Sequence, residues 1–198
     1  MEPINRHVGT TVALMNNDID TDQLVPKAYL QRISKAGFGE FLMDEWRYYP
    51  GPERKKRMDF PLNHPDRQGA TILISGNNFG SGSSREHAAW AIKDYGFRVV
   101  IAGSYSDIFY MNSLKNGILA IILPEEDRLE LAKLPGDVEI EVFLEEQTVT
   151  ANGKVYRFDI APHWKEKLIN GIDDIDETLQ HQDAIRAYEE KWDDFYAY

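Results

Sequence analysis

A segment rich in glycine and serine, residues 76–87 (GNNFGSGSSREH), holds the side chains whose types and spacing could do chemistry. Gly76, Gly80 and Gly82 allow positive φ and let backbone N–H groups come close to a ligand. The helix predicted to follow offers unpaired N–H groups and the positive end of its dipole, which together suit an anion. Arg85 adds a planar fork that matches a carboxylate or a phosphate. The segment therefore predicts an anion-binding site.

The same segment also has a purely structural interpretation. Ser83 and Glu86 have the spacing of a capping box, in which the serine accepts a hydrogen bond from the Glu86 N–H and Glu86 reaches back. A cap needs neither three glycines nor an arginine, so the functional interpretation is favoured. The spacing fits neither the phosphate loop GxxxxGK[ST], nor the dinucleotide fingerprint GxGxxG, nor the nucleophile elbow GxSxG. His87, beside Ala88 and Trp90, is interpreted as structural.

Alternating strands and helices must position this segment. Apolar, partly β-branched runs predict three buried strands: residues 70–75, 97–102 and 118–123. Helices are predicted between them, over about 84–95, ended by Gly96, and over 107–115. Continuous apolar strands that alternate with helices indicate a largely parallel sheet with both faces covered. The anion segment then lies at a strand-to-helix junction.

The chain before residue 70 is less regular. Residues 10–15 predict a short strand, and residues 27–46 predict a mainly helical stretch that is interrupted around Gly37 and Gly39. Residues 48–66 contain four prolines and predict a long irregular insertion, which inside a compact domain is often functional or mobile.

The pattern changes after residue 135. Residues 138–144 alternate apolar with acidic side chains, as in a half-exposed strand, and Asn152-Gly153 between residues 148–151 and 154–160 predicts a hairpin. An acidic helical stretch is predicted from Asp174 onward. We expect residues 1–198 to form a single domain with this C-terminal helical extension packed against it.

Composition excludes several classes of function. The formal net charge is −11, and the basic run at residues 54–57 is too small for a nucleic-acid surface, so it is interpreted as a solvated loop. The absence of cysteine excludes disulfides, a thiol nucleophile, cysteine-bound zinc and cysteine ligation of an iron–sulfur cluster by this chain. The five histidines are scattered, and no apolar run suits a secretory signal or a membrane span. We expect a cytoplasmic protein that binds neither nucleic acid nor membrane and carries no metal.

Three separated blocks resemble the small, swivelling subunits of the aconitase superfamily. They are residues 18–22 (DIDTD), 76–92 (GNNFGSGSSREHAAWAI) and 107–117 (DIFYMNSLKNG), in family order. The surrounding residues resemble the bacterial isopropylmalate branch. One departure is Ser81, where these proteins commonly have cysteine; the exchange is nearly isosteric and does not affect a cluster ligand. The resemblance implies a three-layer β/β/α fold similar to the C-terminal domain of aconitase.

The resemblance also implies a hydro-lyase that interconverts 2-isopropylmalate and 3-isopropylmalate, by dehydration and rehydration, in leucine biosynthesis. A [4Fe–4S] cluster on a separate large subunit would accept the hydroxyl group, and this chain would supply the base. Ser83 matches the family's catalytic serine, and Ser84 and Arg85 match residues that hold a substrate carboxylate. Asp22 matches an active-site aspartate, with a helix N-cap as its alternative. Arg32 matches a substrate-clamping arginine, with a solvated helix face as its alternative.

Substrate choice stays open at this point. Tyr29, Leu30 and Ile33 could offer apolar surface to an isopropyl group, or they could form a helix core stripe. The alternatives to the isopropylmalate reaction are a homoaconitase-type or methylmalate-type hydro-lyase, a non-catalytic carboxylate-binding module, and a structural adaptor. The expected partners are the large subunit and a small carboxylate substrate. When the chain is isolated, self-association through the same face is expected.

Overall fold

A computed structural model describes residues 1–31, 36–83 and 85–190 of the chain. A parallel sheet forms its centre, with strands in the spatial order β2 (Thr11–Leu14), β3 (Ile72–Ser75), β4 (Val99–Ala102) and β5 (Leu119–Ile122). All three strand pairs are parallel. Each of these strands lies within the residues for which a strand was predicted, so the prediction of a largely parallel sheet is confirmed.

A second, antiparallel sheet has the strand order β1 (Arg6–Gly9), β6 (Ile140–Phe143), β7 (Thr148–Ala151) and β8 (Lys154–Arg157). The hairpin predicted at Asn152-Gly153 is confirmed: both residues have positive φ, 47° and 79°, and Ala151 pairs with Lys154. Such turns match the right-handed twist of the strands that they join. Strand β1 has no counterpart in the sequence-based prediction.

The helices vary in length and in exposure. They are α1 (Thr21–Leu24), α2 (Asp44–Arg47), α3 (Glu86–Tyr95), α4 (Asp107–Lys115), α5 (Glu125–Ala132), α6 (Pro162–Asn170), α7 (Asp174–Leu179) and α8 (Gln182–Glu189). Helix α3 ends at Gly96, which is left-handed with φ 119°, and α4 has the bounds expected from the sequence. None of the helices in the described ranges is long and apolar enough to cross a membrane.

The parallel sheet is the middle of three layers. Ile72 and Ile74 of β3 pack in one apolar cluster with residues of β6 and β7, such as Val142 and Val149. Leu73, which points the other way, packs in a second cluster with residues of α3. Successive side chains of β3 thus point to opposite faces of the parallel sheet. The β/β/α order implied by the resemblance is confirmed.

The prediction of a mainly helical stretch at residues 27–46 is wrong. Within the described part of this stretch, helical structure is limited to two short 3-10 turns, Lys27–Tyr29 and Gly39–Phe41, and to α2. Gly37 (φ 86°) and Met43 (φ 52°) are left-handed, which breaks any helix at those positions.

The insertion at residues 48–66 is irregular, as expected, apart from the short 3-10 turns Pro61–Asn63 and Pro65–Arg67. Its basic run is only partly a solvated loop. The guanidinium of Arg54 lies 2.7 Å from a carboxylate oxygen of Glu40, bonds to Asp44 and lies over the ring of Tyr48. An arginine can pack the flat face of its guanidinium on an aromatic ring while the edge of the guanidinium remains hydrated.

The acidic stretch near the C-terminus forms two helices rather than one. Helix α7 is held to the body of the protein by Lys167, whose ammonium group lies 2.6 Å from Asp174 and 2.7 Å from Glu177. All residues of α8 are exposed, so close packing of this helix against the rest of the described chain is not observed.

Candidate active site

Three loops meet at the carboxyl edge of the parallel sheet, where open α/β sheets bind their ligands. One follows β2, the second is the segment predicted from the sequence after β3, and the third follows β4. A parallel bridge joins Asp20 to Ser81, and another joins Phe79 to Tyr105. We refer to residues 76–85 as the site loop.

Backbone N–H groups in the first half of the site loop are used within the protein. The N–H of Asn77 donates to the side chain of Asn17, that of Asn78 to the Ser104 hydroxyl, and those of Gly80 and Ser81 to the carbonyl of Ile19. These groups are therefore not directed at a ligand. Among the described residues of the loop, Gly82, Ser83 and Arg85 remain candidates for holding an anion.

The three loop glycines have different physical roles. A Cβ at Gly76 would lie 2.3 Å from the carbonyl oxygen of Asn16, and one at Gly80 would lie 2.1 Å from the ring of Phe109. Both positions therefore need glycine for close packing of the loops. Gly80 and Gly82 also have positive φ, 74° and 83°. A Cβ at Gly82 would make only ordinary contacts, so its conformation alone favours glycine there.

The loop after β4 supports the site loop, although it was not predicted from the sequence. Ser104 accepts the N–H of Asn78 with its hydroxyl and that of Phe79 with its carbonyl. The hydroxyl of Ser106 donates to the carbonyl of Gly80. Serines directly after a buried strand only weakly indicate a functional role. Their place at the sheet edge where the site was predicted is the signal that could have identified them.

Ser83 lies at the exposed end of the site loop. The capping-box alternative for Ser83 is wrong, because the N-cap of α3 is Arg85, two residues further along, and that cap makes no side-chain hydrogen bond. Ser83 itself is exposed and precedes the helix cap. Its hydroxyl is thus placed where a ligand or a partner could reach it.

Asp22 orients the guanidinium of Arg85. A terminal nitrogen of Arg85 lies 3.3 Å from one carboxylate oxygen of Asp22, and Lys27 lies 3.2 Å from the other. The side chain of Arg85 is 33% exposed and that of Asp22 is 39% exposed, so both can still meet a bound molecule. The structure therefore brings together Asp22 and Arg85, two residues that are predicted to share one site.

The alternative interpretation of Asp22 as an N-cap is wrong. Asp20 caps α1: its carboxylate accepts the N–H of Gln23 at 2.7 Å, and the side chain of Gln23 accepts the N–H of Asp20. Asp22 lies in the first turn of α1, where a negative charge also favours the helix dipole.

Two predicted site residues, Ser84 and Arg32, lie outside the described residues, and so does Ile33. Tyr29 stacks on Phe41 with ring centroids 4.0 Å apart and donates to Asp44, and Leu30 packs against the core. These contacts favour a packing role for Tyr29 and Leu30, although on a 3-10 turn rather than a helix stripe.

Two further residues of this region have structural contacts. His87 packs between the rings of Phe38 and Trp90, at centroid distances of 5.3 Å and 4.6 Å, as its structural interpretation requires. The hydroxyl of Ser81 donates to the carbonyl of Asp18 at 3.4 Å, and so helps to join the first two loops.

This edge of the sheet lacks the ligands for an iron–sulfur cluster. The chain has no cysteine. Across residues 1–31, 36–83 and 85–190, no three histidine, aspartate or glutamate side chains are grouped to hold a metal ion. The donor set thus does not fit a cluster bound by this chain alone. A cleft lined by His64, Arg67 and Asp137 lies apart from the predicted site residues.

Comparison with known proteins identifies the family. Residues 1–126 match the family described as the aconitase C-terminal domain, and residues 174–195 match the C-terminal domain of the 3-isopropylmalate dehydratase small subunit. A protein of Listeria monocytogenes named 3-isopropylmalate dehydratase small subunit is 61% identical over 193 residues, which cover 98% of this chain and 99% of that protein. The chain belongs to the 3-isopropylmalate dehydratase small-subunit family.

Other members of the 3-isopropylmalate dehydratase small-subunit family agree with this assignment. The Bacillus cereus protein of the same name is 54% identical over 191 residues, 96% of this chain and 98% of its own. A crystal structure of 3-isopropylmalate dehydratase from Methanocaldococcus jannaschii covers 93% of this chain and 99% of its own, with a TM-score of 0.68 at 22% identity, and so supports the fold. The resemblance to the aconitase superfamily is confirmed.

Proposed function

We propose that this chain works with a large subunit as 3-isopropylmalate dehydratase and interconverts 2-isopropylmalate and 3-isopropylmalate in leucine biosynthesis. The names of its relatives support the reaction. The observation that carries the proposal is the orientation of Arg85 by Asp22 beside the exposed Ser83, at the carboxyl edge of the parallel sheet. One substrate could bind Arg85 with its carboxylate group and present a carbon-bound proton to Ser83.

Ser83 is the proposed base. In the dehydration step its oxygen takes a proton from the carbon next to a substrate carboxylate. The hydroxyl group then leaves the adjacent carbon as hydroxide, so that an unsaturated intermediate forms while Ser83 keeps the proton. Rehydration at the exchanged positions gives the isomer and returns the proton from Ser83. A serine hydroxyl ionises only at a high energetic cost, which the positive charge of Arg85 would lower, and this attraction is stronger where water is excluded.

Arg85, together with Ser84, is proposed to hold the substrate carboxylate. The guanidinium fork can bond two oxygens of a carboxylate at once, and its contact with Asp22 at 3.3 Å leaves other N–H groups for the ligand. Asp22 is therefore assigned a role at the site through Arg85. Arg32 stays a proposed second clamp for the substrate.

The site is proposed to be completed by the large subunit. No cysteine of this chain can hold a cluster, so the [4Fe–4S] group that would accept the leaving hydroxyl belongs to that partner. The exposed site loop is consistent with an open half-site, and so are two apolar side chains of α4, Ile108 and Met111, which are 57% and 46% exposed. Phe109 of the same helix packs on Gly80, so the helix that carries these two side chains lies next to the loop. The isolated chain is expected to self-associate through this face.

Reconstitution tests the proposal. The chain is combined with its large subunit under anaerobic conditions, and the conversion of 2-isopropylmalate is compared with that of homoaconitate and methylmalate substrates. Preferential turnover of isopropylmalate supports the proposal, whereas preference for one of the other acids assigns the complex to a sister activity. Cell fractionation is expected to place both chains in the cytoplasm.

A further inference from the structure

Arg128 of α5 is a buried cation at the base of the site loop. The residue is 2% exposed. Its guanidinium donates to the carbonyl of Ser75 at 2.7 Å, to the carbonyl of Leu123 at 3.0 Å and to the side-chain oxygen of Asn77 at 3.0 Å. All three acceptors are uncharged oxygens. A buried charge is costly unless its hydrogen bonds are made, so this arrangement needs a physical reason.

These acceptors lie at the root of the site loop. Ser75 is the last residue of β3, Asn77 is the second residue of the loop, and Leu123 follows β5. Arg128 therefore ties the end of β3 to the end of β5, on either side of β4. The backbone of Gly103 passes close by: a Cβ there would lie 1.9 Å from the Asn77 oxygen and 2.4 Å from a nitrogen of Arg128.

The contact with Asn77 extends to the loop that carries Asp22. The N–H of Asn77 donates to the side chain of Asn17 at 2.7 Å, and the carbonyl of Asn77 accepts the N–H of Asp18 at 2.9 Å. The guanidinium of Arg128 thus fixes Asn77, which belongs to the site loop and is hydrogen-bonded to the loop after β2. One loop leads to Ser83 and Arg85, and the other leads to Asp22.

We propose that Arg128 is a positioning residue for the active site. It fixes the start of the site loop, which carries Ser83 and Arg85 and is hydrogen-bonded to the loop that carries Asp22. It does not touch the substrate. The role of Arg128 in turnover rests on the proposed function, while its role in ordering the loop does not. Arg128 lies just beyond residues 1–126, the part of the chain that matches the aconitase C-terminal domain.

Arg67 provides a matched control. Arg67 is half-buried, and like Arg128 it donates to two backbone carbonyls, those of Thr11 at 3.0 Å and Leu134 at 2.8 Å. Thr11 begins β2, so Arg67 acts at the opposite, amino edge of the parallel sheet. Arg67→Met and Arg128→Met remove the same chemical group from two ends of one sheet.

The test measures thermal unfolding of the isolated chain, hydrogen exchange of residues 76–83, and kcat and KM in the reconstituted complex. Both variants are expected to unfold at lower temperature. Only Arg128→Met should speed exchange in residues 76–83. It should also lower kcat by about 10- to 100-fold, with a smaller change in KM, because small misplacements of reacting groups cost that much. Arg128→Lys should recover part of the kcat, since an ammonium group can keep one of the three bonds.

Exchange in residues 76–83 that is equal in the two methionine variants would overturn the proposal, as would a kcat of Arg128→Met equal to that of Arg67→Met. If Arg128→Met does not fold, Arg128→Lys is compared with Arg67→Lys by the same two criteria. If the wild-type complex does not turn over isopropylmalate, the proposed function fails, and the exchange measurement still decides whether Arg128 orders the loop.

Discussion

The guanidinium of Arg85 lies 3.3 Å from the carboxylate of Asp22, although the two residues are 63 positions apart in the chain. Arg85 follows β3 and Asp22 follows β2, and these neighbouring parallel strands end at the same edge of the sheet. The two side chains therefore meet only because the fold brings the two loops together. Their contact fixes the direction of the Arg85 guanidinium. A directed fork is what carboxylate recognition requires.

Replacement of Arg85 by lysine should weaken substrate binding. An ammonium group is a point charge and cannot form the paired bonds of a guanidinium, so we expect KM to rise by about 10- to 100-fold. Arg98→Lys is the control, because Arg98 also pairs with a carboxylate, that of Glu2, at the other end of the sheet. Steady-state kinetics of both complexes give the comparison. Equal KM values for the two variants would place Arg85 outside the site.

Replacement of Ser83 by alanine should abolish turnover and leave the fold intact. The side chain is exposed and does not cap α3, so the free energy of unfolding should change by less than about 0.5 kcal/mol. Loss of a general base should lower kcat by about 100-fold or more. Ser81→Ala, in the same loop, removes only a long hydrogen bond to the Asp18 carbonyl and should have a much smaller effect. A Ser83→Ala complex with near-normal kcat would rule out the serine base.

A methyl group at Gly80 should be far more harmful than one at Gly153. Both residues have positive φ, which costs a non-glycine residue about 1–2 kcal/mol. At Gly153 the new Cβ meets open space, whereas at Gly80 it would lie 2.1 Å from the Phe109 ring. We expect Gly80→Ala to lower the free energy of unfolding by about 2–5 kcal/mol. Urea unfolding of the two variants measures the difference, and equal losses would contradict the packing argument.

The sequence predicted the middle of the fold well because its signals there are local. The apolar runs that became β3, β4 and β5 and the stop at Gly96 each depend on a few adjacent residues. The hydrogen bonds in the first half of the site loop could not be predicted from the sequence, because the partners of its N–H groups, such as Asn17 and Ser104, lie on other loops. Arg128 was missed for the same reason: nothing in an acidic helix indicates that one arginine turns inward. The roles of Ser83, Asp22 and Arg85 in turnover stay predictions.

The stability of the protein should fall as the pH drops through the range in which His7 titrates. Burial, and then the nearby charge of Arg98, lower the pKa of His7 below its ordinary value of 6.5 in the folded protein. The unfolded chain therefore takes up the proton first, so stability is present above the unfolded pKa and declines below it.

His7→Gln can keep the contact with Thr71, which lies 2.7 Å away, and carries no titrating group. Urea unfolding at pH values of about 7.5 and 5.5 should show a larger loss for the wild type than for the variant. An equal loss in both proteins would show that other groups cause the acid sensitivity.

This chain is proposed to supply half of an active site, and the large subunit is proposed to supply the other half. The measurement that tests it most directly is isopropylmalate dehydration by the purified, iron-free chain, assayed anaerobically with and without the large subunit. We predict no turnover by the chain alone and substantial turnover by the complex, since this chain has a base and a carboxylate-binding arginine but no cysteine to hold a cluster. Substantial turnover by the chain alone would contradict the two-chain account.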